Sequence, residues 1–245
     1  MRMISLLVVV AMFTAGLGEC NAQTTRWARS EFAAGAVRVE NVANFSDLPN
    51  TELCCGSFGS ATSDRLTITA GGEWPVTQAF LLGFRLGNAN YSDELTATAS
   101  VPIIVGDQIK YVTYTTQMVT VISGLNLDLL AKLFPVSGLW VSAGLRTSIL
   151  LDHYATITVD ADGTTYRSSL NDGSTYFSAV GSIGYEIPLD EDGVVLLNPS
   201  FGTSLGLSDY NDVDWKINTL FAQIGFVWQW GSKLIDEADS GEQFE

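Results

Sequence analysis

The chain is poor in the residues that most metal and catalytic sites need. It has one histidine and three cysteines in 245 residues. If a leader containing Cys20 is removed, only Cys54, Cys55 and His153 remain. A structural metal site needs about four such ligands, so we expect no metal and no cofactor. With His153 as the single imidazole for acid–base chemistry and no serine motif beside it, we also expect no enzyme activity.

Charged side chains are scarce as well, and basic ones most of all. Only 16% of the residues are charged, and 12 Lys and Arg against 27 Asp and Glu give a net charge of −15. A chain this acidic is not a general binder of nucleic acid or anionic lipid, because both are themselves anionic. Hydrophobic residues nevertheless make up 47%, which is unlike a disordered chain.

The N-terminus has the pattern of a secretory leader. A basic residue precedes an apolar core at 4–13, and Ala22 is a suitable last residue before cleavage. We therefore predict a signal peptide over 1–22. One alternative is a membrane anchor, for which the apolar run is short. The other is a lipoprotein acylated on Cys20, although Glu19 stands where a small residue is expected.

Long hydrophobic runs are missing from the rest of the chain. No later stretch has the ~18 apolar residues of a membrane helix, so any spanning structure must be a closed β-barrel. Alternating polarity is present instead, as in strands that face lipid on one side and a polar interior on the other. In the last strand one face is Leu220, Ala222, Ile224, Phe226, Trp228 and Trp230; the other is Thr219, Phe221, Gln223, Gly225, Val227 and Gln229.

Seven further segments alternate in the same way: 30–42, 64–74, 78–91, 119–133, 139–151, 176–187 and 194–206. Short turns near 75–76, 135–138 and 188–193 separate them on one side, and long polar connections at about 43–62, 92–109, 157–173 and 207–214 on the other. This arrangement predicts an all-β, closed, antiparallel up-and-down transmembrane β-barrel of about eight strands.

The boundaries of this barrel are predicted to be 23 and 230, with an acidic periplasmic tail over 231–245. A turn hidden near Ser123-Gly124 would raise the count to ten strands, so eight and ten both stay open.

Aromatic residues fall near both ends of the predicted strands, as they do at the two membrane interfaces. Near the short turns these are Trp74, Trp140, Tyr185, Trp228 and Trp230, and near the long loops Tyr91, Tyr111, Tyr114, Tyr154, Tyr210 and Trp215. The alternative is a soluble barrel such as a lipocalin, with an apolar interior and a polar exterior. The near absence of charge on the apolar face favours the membrane barrel.

Six charged residues fall in the polar, interior phase: Glu73, Arg85, Asp128, Lys132, Arg146 and Glu186. Because an isolated buried charge costs several kcal/mol, these three acids and three bases must pair inside a narrow barrel. The structural interpretation is an ion-pair network that plugs the lumen. The functional alternative is a gate or a narrow ion path through the same network.

Two smaller features complete the candidate sites. Cys54 and Cys55 are adjacent in the first long loop and could form a disulfide in an oxidising compartment. His153 follows the outward, lipid-facing phase of its strand, opposite Asp152.

The pattern of residues 223–230, polar-x-Gly-x-x-aromatic-x-aromatic, resembles the closing-strand signal that the assembly machinery of bacterial outer membranes reads. The chain resembles small bacterial outer-membrane β-barrel proteins and is similar to the transmembrane barrel domain of outer membrane protein A. The resemblance implies eight strands, a lumen with ion pairs, the outer membrane of a diderm bacterium, and no enzyme activity. It implies outer-membrane lipid and the barrel assembly machinery as partners. No peptidoglycan-binding domain follows, so cell-wall tethering is not implied.

Taken together, the sequence predicts an outer-membrane barrel with a structural or surface-interaction role and unknown loop ligands. The alternatives are a narrow pore for small solutes and, third, a lipid-modifying barrel enzyme.

Overall fold

The computed structural model describes residues 28–43, 58–77, 79–159, 164–169, 175–210 and 214–230. The predicted leader, the tail, and the Cys54–Cys55 pair lie outside the described residues. Where the structure is described, it has no helix that is both long and apolar enough to cross a membrane. The strands are β1 (Ala28–Ala43), β2 (Ala61–Pro75), β3 (Phe80–Asn90), β4 (Asp93–Val105), β5 (Gln108–Leu133), β6 (Leu139–Val159), β7 (Thr164–Ser169), β8 (Thr175–Tyr185), β9 (Ile187–Pro188), β10 (Val195–Gly206) and β11 (Trp215–Trp230).

Eight strands close into an antiparallel ring in the order β1-β2-β3-β5-β6-β8-β10-β11. The last strand pairs with the first, from Ala28 opposite Trp230 to Ala43 opposite Trp215. The predicted closed all-β barrel and its eight ring strands are confirmed. We call the end that holds the connections 76–79, 134–138 and 189–194 the turn end, and the opposite end the loop end.

Two segments predicted as long loops contain strands, and those predictions were wrong. Residues 93–105 form β4, which pairs with β5 from Asp93 opposite Thr120 to Val105 opposite Gln108. Residues 164–169 form β7, which pairs with the far end of β6. Both segments contain β-branched residues, which favour strands. β4, β7 and the adjoining parts of β5 and β6 make a four-stranded sheet beyond the ring, which we call the extension.

The point where an extra turn was considered is a β-bulge, because β5 runs through it without interruption. Ser123 pairs with Asp152 and Gly124 pairs with Leu150, so Leu151 of β6 has no opposite residue. One extra residue reverses the facing of every side chain beyond it. The ten-strand alternative therefore fails, and the phase of β6 changes at Leu151.

The outward face of the ring is apolar, as the alternation predicts, and the inward face is polar toward the turn end and mainly apolar toward the loop end. On β11, Leu220, Ile224 and Trp230 are 44%, 60% and 62% exposed, whereas Gln223 is 5% exposed. We call the outward side chains that continue this surface the apolar belt: Phe32, Ile68, Leu82, Leu86, Leu125, Leu129, Leu145, Ile149, Phe177, Ile183, Phe201, Leu205, Leu220 and Ile224.

Candidate functional site: the two halves of the barrel interior

Eight charged side chains fill the half of the interior nearer the turn end. They come from β1, β2, β3, β5, β6 and the residue that follows β8, and each is at most 8% exposed. Four are acids and four are bases, so the group carries no net charge. We call it the ion cluster: Arg29, Glu31, Glu73, Arg85, Asp128, Lys132, Arg146 and Glu186.

The layer nearest the turn end is a ring of four alternating charges. Lys132 Nζ lies 2.9 Å from Glu73 Oε1 and 2.8 Å from Glu186 Oε1. Arg29 completes the ring, with Nη2 2.6 Å from Glu186 Oε2 and Nη1 3.4 Å from Glu73 Oε2. Each carboxylate thus contacts two cations and each cation two carboxylates. This mutual arrangement offsets the cost of removing four charges from water.

Aromatic rings enclose this layer. Lys132 Nζ lies 4.3 Å from the centre of the Trp140 ring and 5.3 Å from that of Phe134. The Arg29 guanidinium lies 5.8 Å from the same Phe134 ring. Such cation–π contacts are strongest where water is excluded. Phe134, in the turn between β5 and β6, therefore lies against both cations at the turn end.

The next layer is held by one carboxylate with two partners. Glu31 Oε2 accepts from Arg85 Nε at 3.1 Å, and Glu31 Oε1 accepts from Asn198 Nδ2 at 2.8 Å. Asn198 Oδ1 in turn accepts from Trp140 Nε1 at 2.9 Å. Trp140 is fully buried, so its assignment to the membrane interface was wrong. It shares the inward phase of Ser142, which the alternation of β6 already places in the interior.

The third layer is a two-pronged ion pair between neighbouring strands. Asp128 of β5 and Arg146 of β6 are directly opposite in register. Arg146 donates from Nε to Asp128 Oδ1 at 2.7 Å and from Nη2 to Oδ2 at 2.9 Å. This parallel geometry suits a planar guanidinium and a planar carboxylate and is the strongest form of the pair.

All six charged residues selected from the sequence lie in this cluster, but Arg29 and Glu31 were missed. Arg29 precedes the segment 30–42 and Glu31 is its second residue. The alternation of this segment is less regular than that of the other strands. A signal was available: Arg29, Glu31, Ala33 and Gly35 form a charged and small face opposite Phe32. The register of β1 against Glu73 of β2 brings them to the same depth.

The half of the interior nearer the loop end is mainly apolar. Its side chains come from the ring, from the extension and from the segment before β2, and they form one buried cluster. The largest members are at most 2% exposed. We call this cluster the cap: Phe58, Leu95, Met118, Ile122, Ile157, Tyr176, Tyr210, Trp215 and Ile217.

Aromatic edges and a few hydrogen bonds order the cap. The Tyr210 and Trp215 rings meet edge to face, with centres 4.9 Å apart and an angle of 86°. Trp215 Nε1 donates to Asn41 Oδ1 at 3.0 Å, and Asn41 Nδ2 donates to Asp93 Oδ2 at 3.0 Å. Within the described residues the Tyr210 hydroxyl has no hydrogen-bond partner, and burial raises its pKa.

These positions correct part of the interface prediction at the loop end. Tyr91, Tyr210 and Trp215 are buried inside the barrel, whereas Tyr111 is 73% exposed on the extension. All of them were predicted to lie at an interface because each is near the end of a strand. For Tyr91 the inward phase of Arg85 would have given the correct side. At the turn end the predicted outward residues are exposed on the outer face: Trp74, Tyr185, Trp228 and Trp230.

His153 also lies on the side opposite to the predicted one. It pairs with Ile122, whose side chain is fully buried, and the bulge at Leu151 has reversed the phase. Its Nδ1 is buried and has no hydrogen-bond partner in the described part of the chain. No group of three or more metal-binding side chains occurs among the described residues either.

The known proteins that this chain resembles share little of its sequence. No family model and no curated protein matches the chain. The chain resembles the solved structure of Ail from Yersinia pestis, with 9% sequence identity over 82% of this chain and 99% of that chain and a TM-score of 0.35. It also resembles two structures from Pseudomonas aeruginosa. These are the N-terminal β-barrel domain of OprF, with 14% identity over 83% of this chain and 97% of that chain and a TM-score of 0.35, and the outer membrane protein OprG, with 12% identity over 86% and 100% and a TM-score of 0.37. The identities and TM-scores are low, so the fold assignment rests on this chain's own strand pairing and no function is taken from these proteins.

Proposed function

We propose that this chain is an outer-membrane β-barrel of a diderm bacterium with a structural or surface-interaction role. The observation that carries the proposal is the distribution of polarity across the ring. The ion cluster is inside, and the apolar belt is outside at the same depth. A soluble barrel has the opposite distribution, because water wets its exterior. Lipid is the solvent that matches an apolar exterior.

The height of the belt supports the same conclusion. On β11 the outward residues from Trp230 to Leu220 are ten positions apart in the sequence. Ten residues of strand extend about 33 Å, and a tilt of about 40° reduces this to about 25 Å, the height of the apolar band of such barrels. At the edge of that band, where Arg38 lies opposite Leu220 in the register, β1 and β2 carry an outward ion pair, Arg38 with Asp64 at 2.9 Å.

The filled interior supports a structural role over a transport role. The ion cluster occupies the turn-end half, and the cap occupies the loop-end half. Ions moving along the axis would have to break buried salt bridges and cross an apolar plug, and both steps are costly.

A narrow pore is the second candidate, and the ion cluster is the observation that favours it. Rings of charged side chains line selective channels. In planar bilayers a structural barrel gives no unitary currents, whereas a pore gives discrete steps. Discrete currents from the unmodified protein would replace the structural proposal with the pore.

Localisation is tested by cell fractionation and gel migration. We expect the protein in the outer-membrane fraction, extracted only by detergent, with a change in migration on boiling that reports loss of a closed barrel. A protein that is monomeric and soluble without detergent contradicts the proposal. The matched variant is Ile224→Lys, which places a charge on the outward face and should reduce membrane assembly by its cost in the belt, about 2–4 kcal/mol.

A further inference from the structure

The hairpin of β4 and β5 continues past the rest of the extension. β6 pairs with β5 only as far as Thr116, where Val159 lies opposite, and beyond that residue the described ladder joins β5 to β4 alone. The hairpin turns at Gly106, whose φ of 66° is a left-handed conformation that suits glycine. A two-stranded ribbon is only marginally stable by itself in water, so a surface against which it packs would stabilise it.

Four apolar side chains form an exposed patch at the end of this hairpin. Pro102 lies opposite Tyr111. Ile104 lies opposite Ile109, and the two pairs are neighbours on one face of the ribbon. The exposed fractions of Ile104, Ile109 and Tyr111 are 79%, 67% and 73%. We call the four side chains the tip patch. An apolar patch of this kind, unlike a single exposed side chain, indicates an interaction surface.

The tip patch is separate from the apolar belt. Ile109 and Leu125, the nearest belt residue on β5, are sixteen positions apart, which is about 50 Å of strand. Three polar cross-strand pairs lie between the patch and the belt on the same face: Ser100 with Thr113, Thr98 with Thr115 and Thr96 with Gln117. The tip patch therefore meets a surface other than the hydrocarbon around the belt.

The opposite face of the tip is mixed in polarity. Ile103 lies opposite Lys110, and Val105 lies opposite Gln108. Both polar side chains are exposed. One apolar face backed by a partly polar face is the arrangement of segments that lie in a membrane interface with the apolar side toward the acyl chains. Asp107 in the turn balances the charge of Lys110, so the tip has no net charge.

The size of the tip patch favours lipid over a second folded protein. Four such side chains expose roughly 300–500 Å², within the range of apolar patches that are often functional on monomers. A standard protein interface buries about 800 Å² on each partner, so a second copy docked on this patch alone would bury too little for a stable dimer. Binding to a lipid interface increases with apolar area and needs no partner of matching shape.

A strand added by a protein partner is disfavoured at the same place. β4 is the terminal strand in the order of the sheet, and it carries Pro102 close to the turn. Proline on an edge strand hinders pairing with a further chain, because it has no backbone N–H to donate. The side-chain face of the hairpin is therefore a better docking surface than its backbone edge.

Charge indicates which lipid the patch prefers. The whole chain has a net charge of −15, so an anionic membrane surface would repel it. The tip itself is neutral and has no cluster of lysine or arginine with which to attract phosphate groups. A zwitterionic lipid surface is the one that this distribution of charge tolerates best.

We propose that the tip patch docks onto the zwitterionic surface of a second bilayer, distinct from the one that holds the barrel, with Ile104 and Ile109 among the upper acyl chains. Tyr111 suits the boundary above them, because its ring is apolar and its hydroxyl is polar. The inference rests on the proposed function, since it names lipid as the partner in a surface-interaction role.

Docking is tested by the binding of the reconstituted barrel to separate vesicles. The protein in phosphatidylcholine nanodiscs is mixed with phosphatidylcholine vesicles, and the nanodiscs that float with the vesicles in a density gradient are measured. Ile104→Ser with Ile109→Ser should lower the affinity for vesicles at least about tenfold, the scale set by the transfer of one large apolar side chain out of water. Vesicles that contain phosphatidylglycerol should bind less.

Matched variants separate docking by this face from general stickiness or loosening. Ile103→Ser with Val105→Ser removes the same kind of side chain from the opposite face of the tip and should bind like the unmodified protein. Ile104→Leu with Ile109→Leu keeps the apolar area and should also bind. Empty nanodiscs give the background, and each variant is first checked for the folded gel mobility.

The proposal is overturned if the unmodified protein does not bind phosphatidylcholine vesicles, or if the two serine double variants lose affinity equally. Stronger binding to vesicles with phosphatidylglycerol also contradicts it. Nanodiscs that associate with one another without vesicles would identify a second copy as the partner and would overturn the lipid assignment. Reconstitution makes these results independent of cellular location, so fractionation tests the proposed function separately.

Discussion

The two ends of β5 follow opposite rules of burial. Toward the turn end, Lys132 and Asp128 point inward and Leu129 points outward at 60% exposure. Toward the loop end, Met118 and Ile122 are fully buried, and the outward Gln117 is exposed. One half therefore has a charged inside and an apolar outside, whereas the other half has an apolar inside and an outside that mixes polar residues such as Gln117 with apolar ones such as Val119.

This difference places the solvent boundary within a single strand. A chain surrounded by lipid gains nothing from hiding apolar groups, so its interior can be charged. A chain surrounded by water gains about 25 cal/mol for each Å² of apolar surface that it buries. We infer that the ion cluster belongs to the membrane-embedded half and the cap to a part folded in water. Variants in the two halves should therefore fail in different ways.

Arg146→Glu should have the largest effect, because it sets a carboxylate against Asp128 with no cation between them. We expect the free energy of unfolding in detergent to fall by about 5 kcal/mol, the upper range for breaking a buried ion pair. If the barrel survives, its single-channel conductance should rise instead. The swapped pair Asp128→Arg with Arg146→Asp should recover most of the loss. No change in either stability or conductance would show that Arg146 is outside any such network.

Lys132→Met should have the next largest effect on stability, because this one cation contacts both Glu73 and Glu186. We expect a loss of about 3–4 kcal/mol in urea unfolding, since two buried carboxylates then share Arg29 alone. Adding Glu186→Gln restores neutrality and should recover part of the loss. If the double variant is as unstable as the single one, packing and not charge explains the effect.

Trp215→Ala should weaken the cap by about 3 kcal/mol through the lost volume and the unpaired Asn41 oxygen. The expected readout is faster proteolysis at the loop end, with no gain in conductance, because the ion cluster still closes the lumen. Trp215→Phe is the milder control. Currents from Trp215→Ala alone would mean that the cap, and not the ion cluster, is the barrier.

Tyr210→Phe should have the smallest effect, within about 1 kcal/mol and in the stabilising direction, because it removes a buried hydroxyl without a partner among the described residues. Burial raises the pKa of Tyr210, so the folded state keeps the phenol neutral. Stability should then decline as pH rises above about 10, where the unfolded chain begins to lose the proton. The Phe variant should decline less above about pH 10, as measured by the unfolding midpoint. Identical pH profiles would contradict a buried Tyr210.

Much of the ring could be predicted from alternation, because period-two polarity is local and needs no knowledge of partners. The facing of Glu73, Arg85 and Gln223 followed from it directly. Prediction failed where the phase depends on a distant partner. His153 changed sides because β5 and β6 meet with one residue unmatched at Leu151. The extension was taken for loops because the exposed residues of β4 are mostly polar, as at Glu94, Thr96, Thr98 and Ser100, and therefore lack the lipid-facing signal.

The sequence by itself determined that an apolar face and a more polar face alternate along eight strands, since side-chain direction reverses at every residue of a strand. It also determined that the charges had to meet, because burying them singly is too costly. Only the tertiary structure decided which charges pair, that Arg29 and Glu31 join them, and that the cap closes the other half. Those contacts depend on register between strands far apart in the chain, such as Asp128 with Arg146 or Glu31 with Asn198. A local pattern carries no information about that register until the ring has closed.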